Sequence, residues 1–137
     1  MLAQAFSKED IARLSGLIDP AVATGLDYYP LPKVGERFPI NDANFQPRLS
    51  PRPPEDHLYL QGIFEGIAEI EALGYRRLAE LGASPLVSIR STGGGAANDK
   101  WTAIRLRRLK VPARASTSEQ AAMGTARLAW RGIGHAD

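Results

Sequence analysis

Three consecutive glycines, Gly93, Gly94 and Gly95, separate a short β-branched run from an amphipathic stretch in "IRSTGGGAANDKWTAIRLRRL", Ile89 to Leu109. Glycine loses more backbone freedom on folding than any other residue, so the run needs a reason in backbone geometry or close approach. "PLVSIR" reads as a strand, the glycines as a turn and "NDKWTAIRLRRL" as a helix capped by Asn98. A strand that turns sharply into a helix aims free N–H groups at one point, where the helix dipole favours negative or electron-rich groups. The spacing is neither the G-x-G-x-x-G of a dinucleotide site nor the G-x-x-x-x-G-K-[ST] of a P-loop. From the residues alone two readings stand. One is a tight turn between strand and helix. The other is a ligand seat, with the glycines leaving room for a flat molecule and Asn98 offering its amide to a base or ribose.

The rest of the chain gives the turn a helical surround. "SKEDIARLSGLI" predicts a short helix capped by Ser7, with Asp10 at its third position and Ile11, Leu14, Leu17 and Ile18 on one face. Asp19-Pro20 ends it. "TGLDYYPL" predicts a strand stopped by Pro30, and Leu31 to Pro54, with six prolines, reads as one long loop. "EDHLYLQGIFEGIAEIEALGYRRLAELG" predicts the clearest helix, with Leu60, Ile63, Phe64, Ile67 and Ile70 in three-four spacing, Leu78 and Leu81 extending the face, and Gly82 as its stop. Gly62 and Gly66 lie one turn apart, which lets another backbone come close. After the glycine turn and its helix, "KVPA" reads as a short strand and "STSEQAAMGTARLAWRG" as a closing helix. Helix and strand alternate through the second half, which is an α/β pattern.

Composition narrows the function classes. The 137 residues suit one domain, 1–137, and the 44% hydrophobic and 23% charged content are ordinary for a globular protein. A net charge of +2, without a basic stripe interleaved with aromatics, argues against nucleic acid as a partner. Cysteine is absent, which excludes disulfides and thiolate metal sites and fits a cytoplasmic protein. No apolar run nears the roughly 18 residues of a membrane span. The start "MLAQAFSKED" lacks the basic and apolar regions of a signal peptide.

Four blocks, in order, carry a resemblance: "YYPLPKVGERFPIND", "HLYLQGIFEGIAEIEALGYRRLAELG", "STGGGAANDKWTAIRLRRLKVPA" and "SEQAAMGTARLAWRGIG". They run from Tyr28 to Gly134 and include the Gly-Glu-Arg-x-Pro motif at Gly35, Glu36, Arg37 and Pro39, the following Asp42, the Glu65-Gly66 step and the pattern from Glu119 to Gly124. The chain resembles the C-terminal, ATP-binding portion of the FGGY family of carbohydrate kinases. The resemblance implies a part of a ribonuclease H-like domain of the actin and hexokinase type, with the N-terminal sugar-binding domain absent. It implies γ-phosphoryl transfer from ATP to a sugar hydroxyl, with a pentulose such as ribulose or xylulose as substrate. It places Gly93, Gly94 and Gly95 along the adenosine and α-phosphate, Asn98 beside the adenine and Ala96 next to it, while Glu119 and Gly124 support the pocket from the following helix. Ala97 stands where many relatives carry a longer polar side chain, and Phe38 where a threonine is usual.

Phosphoryl transfer needs phosphate-gripping loops, Mg²⁺ ligands and a base. The resemblance puts all of these, and the sugar pocket, before the matched region. The expectation is a chain inactive alone, whose partners are the N-terminal kinase portion and its sugar, and which can form a homodimer. A second expectation, from the same missing machinery, is a non-catalytic assembly or regulatory module that keeps the scaffold.

The remaining polar residues have plain readings. Trp101 anchors its helix in the core with Ile104, although it can also stack on a purine. Asp42 with Glu36 and Arg37 reads as a salt-bridged pin for the long loop, or as a cluster facing the cleft. Glu65 and Glu69 read as a solvated or salt-bridged face, and Arg105, Arg107 and Arg108 as the solvated side of their helix. His57 and His135 read as surface residues.

Overall fold

A computed structural model describes residues 6–116, 125–126 and 128–130. Three α-helices carry it: α1 (Lys8–Ser15), α2 (Asp56–Glu80) and α3 (Asp99–Leu109), with a one-turn 3₁₀ helix at Gly94–Ala97 leading into α3. Both α1 and α3 pack on α2.

Local chemistry sets the starts of α1 and α3 and the ends of α2 and α3. The Ser7 hydroxyl accepts the Asp10 N–H at 3.0 Å and donates to the Asp10 carboxylate at 2.9 Å, so two otherwise idle groups at the helix start are paired. Asn98 does the same for α3, its Oδ1 accepting the Trp101 N–H at 3.0 Å. At the end of α2 the chain turns at Gly82, φ +91°, and the N–H groups of Gly82 and Ala83 return to the carbonyls of Ala79 and Leu78. α3 stops at Lys110 in the left-handed conformation, immediately before Val111-Pro112.

The core is the face predicted for α2, joined by both neighbours. Leu60, Ile63, Phe64 and Ala68 of α2 pack with Leu14 and Ile18 from the α1 region, Ile104 of α3, and Phe6, Tyr28 and Tyr59. Burying each large apolar side chain contributes about 1.5–3 kcal/mol. The buried face does not run the full length of α2. Leu78 is 42% and Leu81 80% exposed. α1 ends at Ser15, short of the predicted stop at Asp19-Pro20, and past its end Ile18 is buried in the core while Leu17 is exposed.

Gly62 and Gly66 are where the extended segment before the long loop meets α2. A Cβ on Gly66 would lie 2.6 Å from the Tyr28 carbonyl oxygen and 2.8 Å from Pro30 Cδ; one on Gly62 would lie 2.8 Å from Leu26 and 2.9 Å from Tyr28. The notch therefore accepts a backbone, as its spacing predicts. The loop beyond closes on itself at two levels. Tyr29 and Arg48 exchange both backbone hydrogen bonds, at 2.8 and 3.0 Å, and Glu36 and Asp42 do so at 2.9 Å each. The Arg48 side chain adds bonds of 2.6 Å to the carbonyl and carboxylate of Asp27.

The predicted strands do not assemble into a sheet. Among the described residues there are three isolated bridges, Tyr29–Arg48 and Glu36–Asp42 antiparallel and Ile89–Ala113 parallel, and the regular structure is helical. Proline limits one of these pairings: Pro112, beside the third bridge, has no N–H to give to the Val87 carbonyl, the next acceptor along that parallel ladder. This arrangement does not match the sheet-centred ribonuclease H-like layer that the resemblance implies. What forms of the α/β pattern is a single parallel contact across α3: Ile89 N–H to the Pro112 carbonyl at 3.1 Å, and Arg114 N–H to the Ile89 carbonyl at 2.8 Å. The predicted closing helix lies largely outside the described residues, as do Glu119, Gly124 and His135; positions 125, 126 and 128–130 are helical.

Candidate functional site: the glycine turn

Gly93 opens the turn with φ +79°, a backbone region that side chains disfavour. Gly94, Gly95, Ala96 and Ala97 then form the 3₁₀ turn, closed by the Ala96 N–H on the Gly93 carbonyl at 3.0 Å and the Asn98 N–H on the Gly95 carbonyl at 3.2 Å. A Cβ on Gly93 would meet nothing within 4 Å. One on Gly95 would meet only the Trp101 indole, at the ordinary contact distance of 3.7 Å. Gly93 is thus required by its backbone angle. Gly95 is required neither by an angle nor by a neighbour, and its missing side chain leaves the outer side of the turn open.

Both ends of the turn are anchored. At its exit, Asn98 caps α3 through Oδ1 while its Nδ2 donates to Ser15 Oγ at 2.9 Å, tying the turn to the last residue of α1. A side-chain amide carries two N–H donors, and Ser15 takes one of them. At its entrance, Ser91 Oγ accepts from Arg105 Nη1 at 2.6 Å. Beneath the turn lies Trp101, half-buried, with its ring centre 5.5 Å from that of Phe64. It is a floor packed on the core, as the sequence suggests.

The arginines of α3 are not a solvated face. Each pairs with a glutamate of α2: Arg105 with Glu71 and Arg107 with Glu65, both at 2.6 Å, and Arg108 with Glu69. The pairs flank the helix contact on both sides: Glu65 and Glu69, one turn apart on α2, take Arg107 and Arg108, while Glu71, two residues beyond Glu69 and so on the other side of the helix, takes Arg105. Glu65 is the most enclosed. It also accepts the N–H and hydroxyl of Thr24, and Gln61 beside it donates to the carbonyls of Asp19 and Val22. The salt-bridged reading of Glu65 and Glu69 describes this geometry, and the arginines have no charge to spare for a phosphate.

The long-loop cluster is held differently from its prediction. The Glu36 carboxylate accepts the backbone N–H groups of Arg37 and Phe38 at 3.0 and 3.3 Å and the Tyr29 hydroxyl at 3.3 Å, and Asp42 accepts the Asn44 N–H at 2.8 Å. Arg37 is exposed and forms no ion pair with either acid. The pin is made by backbone donors because the bridge at Glu36–Asp42 turns those N–H groups inward. Burial, then the Glu36 charge, pushes the Tyr29 hydroxyl up to about 12.

A cleft of about 440 Å³ lies elsewhere, between residues 23–28 and the facing sides of α2 and α3. Its charged lining is the Glu65–Arg107 and Glu69–Arg108 pairs together with Asp27, which is paired with Arg48 outside the cleft. Among the described residues no three His, Cys, Asp or Glu side chains converge as metal ligands, and no helix is long and apolar enough to cross a membrane. His57 stands in the first turn of α2, partly buried. No protein-family model matches the chain.

Sequence reasoning missed Ser15, Ser91, Glu71 and Arg105 as parts of this site. One signal was available for Arg105: it follows Trp101 by four residues, which puts both on one helix face.

Proposed function

We propose that the chain is the C-terminal, adenine-nucleotide-binding portion of an FGGY-type carbohydrate kinase, which moves the γ-phosphoryl group of ATP to a hydroxyl of a pentulose-like sugar. The observation that carries this reading is the glycine turn: fixed at both ends, floored by an indole, and open on the side where Gly95 omits a side chain that its neighbours would tolerate. The turn's role is to seat the adenosine along Gly93, Gly94 and Gly95, with Ala96 packing beside it and the Asn98 amide offering a donor. The ordered blocks from Tyr28 to Gly134 support the kinase assignment. In this reading the parallel segments that meet at Ile89 and Ala113 join a ribonuclease H-like sheet whose other strands belong to the preceding portion of the enzyme.

The same portion supplies the phosphate loops, the sugar pocket, the base and the Mg²⁺ ligands, and Mg²⁺ when bound neutralises charge on the transferring phosphoryl group. This chain alone is inactive. What its own residues do is bind and orient: a fixed backbone cradle converts binding energy into placement of the reacting phosphate.

A thermal-shift titration with ADP and ATP, against GTP, tests the reading. At a hundredfold excess over the dissociation constant a ligand stabilises by about 2.7 kcal/mol, several degrees for a domain of this size. A saturable shift with adenine nucleotides that disappears in Gly95→Val is the expected result. No shift at millimolar nucleotide overturns it.

The second reading, a non-catalytic assembly or regulatory module, draws on the exposed apolar side chains. Leu81 is 80%, Val87 71% and Trp130 81% exposed. Self-association in sedimentation, without nucleotide binding, is its signature.

A further inference from the structure

Arg105 touches both the entrance of the glycine turn and the floor beneath it. Its Nη1 donates to Ser91 Oγ at 2.6 Å. Its Nε and Nη2 donate to the two carboxylate oxygens of Glu71 at 2.7 and 2.6 Å, and its guanidinium carbon stands 5.4 Å from the centre of the Trp101 ring. The side chain is 13% exposed, the most enclosed of the three arginines paired across α2 and α3.

The arrangement uses what distinguishes arginine. A planar guanidinium grips a carboxylate with two parallel N–H donors and still has donors on its other edge in a fixed direction. Glu71, on the long helix, fixes the plane; the remaining edge then holds Ser91, two residues ahead of Gly93. A fork held only by solvent would let the Ser91 limb swing, and the turn has no side chains between Gly93 and Gly95 to resist that motion. At the opposite limb Asn98 is already fixed by Ser15 and by its capping bond. The open side of the turn is therefore set by two polar anchors, of which the Glu71–Arg105–Ser91 relay is the one that controls the entrance.

We infer that Arg105, oriented by Glu71, is a positioning residue for the nucleotide seat: through Ser91 it holds the entrance limb of the glycine turn in the conformation that receives an adenine nucleotide. This rests on the nucleotide reading of the turn. The relay does not touch the ligand. It sets affinity by pre-forming the cradle, so that ordering the limb is not charged against binding.

The test separates this role from general stability by acting on the Ser91 end, which leaves the Glu71–Arg105 pair in place. ADP affinity is measured by calorimetric titration, and melting temperature by scanning calorimetry, for the wild-type chain, Ser91→Ala, Ser91→Thr and Gly95→Val. The expected result is a loss of about tenfold in ADP affinity for Ser91→Ala, recovery to within about twofold for Ser91→Thr, which keeps the hydroxyl, and a melting temperature unchanged in both. Arg105→Lys, which keeps a charge for Glu71 but loses the fork, is expected to weaken ADP as Ser91→Ala does. If Ser91→Ala binds ADP as tightly as the wild type while Gly95→Val does not bind, the relay is overturned and the nucleotide reading stands. If Ser91→Ala loses affinity only in step with melting temperature and Ser91→Thr does not restore it, the contact is structural and the inference fails. If the wild-type chain binds no ADP, both fall.

Discussion

Glycine does opposite work in two regions of this molecule. On α2, Gly62 and Gly66 are filled spaces: the chain from Leu26 to Pro30 lies where their side chains would be. At the turn, Gly93 and Gly95 face nothing closer than ordinary contact. The first pair is explained entirely by the protein's own packing. In the second region a positive φ accounts for Gly93, while neither a backbone angle nor a tight neighbour among the described residues accounts for Gly95. A glycine-rich segment becomes informative about function when the internal reasons for its glycines have been subtracted.

The largest effect that can break this comparison is at Gly66. In an exposed helix, replacing glycine by alanine stabilises by about 1 kcal/mol. Here the new Cβ would sit 2.6 Å from the Tyr28 carbonyl oxygen, a backbone atom that cannot turn aside. Gly66→Ala is expected to destabilise by about 1–3 kcal/mol instead, read as a lowered melting temperature; a rise would show that the notch is not packed as described. Next comes Gly93→Ala, with φ +79° and open space around it. The expected loss is about 1–2 kcal/mol of stability from backbone strain alone, checked by urea unfolding.

A smaller effect sharpens the contrast between the paired face of α2 and the open turn. The hydrogen bond from Arg108 is the main reason the Glu69 carboxyl sits below its ordinary value of 4.5; partial burial works against it, and Arg76 adds to the lowering. A lowered folded-state pKa means stability that is present above about 4.5 and is lost as pH falls below it through the folded value. The stability gap between the wild type and Glu69→Gln is therefore expected at neutral pH and should vanish in acid, as followed by urea melts across pH. A gap that persists in acid would assign the effect to packing. Smallest is the stability cost of Gly95→Val, expected within about 0.5 kcal/mol, although this variant should abolish nucleotide binding. A large cost would mean the turn's outer side is not open.

Reading the site from sequence succeeded where its signals are local. The cap at Asn98, the floor at Trp101 and the notch at Gly62 and Gly66 follow from spacing and residue type. It failed at the arginines, whose partners Glu65, Glu69 and Glu71 lie 34 to 42 residues away. A run such as Arg105, Arg107 and Arg108 looks like a solvated face until a second helix is laid against it. The α/β pattern failed for a related reason. Alternation shows that a segment can be extended, but a sheet needs neighbours with N–H groups to give, and beside the Ile89–Ala113 contact Pro112 has none.

What the sequence by itself determined are the caps at Ser7 and Asn98, the stop of α2 at Gly82, the apolar face through Leu60, Ile63 and Phe64, and the presence of a backbone turn that only glycine adopts at Gly93. These depend on each residue's own torsional and capping chemistry, which acts over one or two turns of chain. The tertiary structure alone decided which charges are spent on one another, that Leu78 and Leu81 end up uncovered, and that Ser91 and Ser15 hold the two limbs of the turn. Those outcomes require groups remote in sequence to be brought within about 3 Å, where hydrogen bonds form, and only the packing of α1 and α3 on α2 does that.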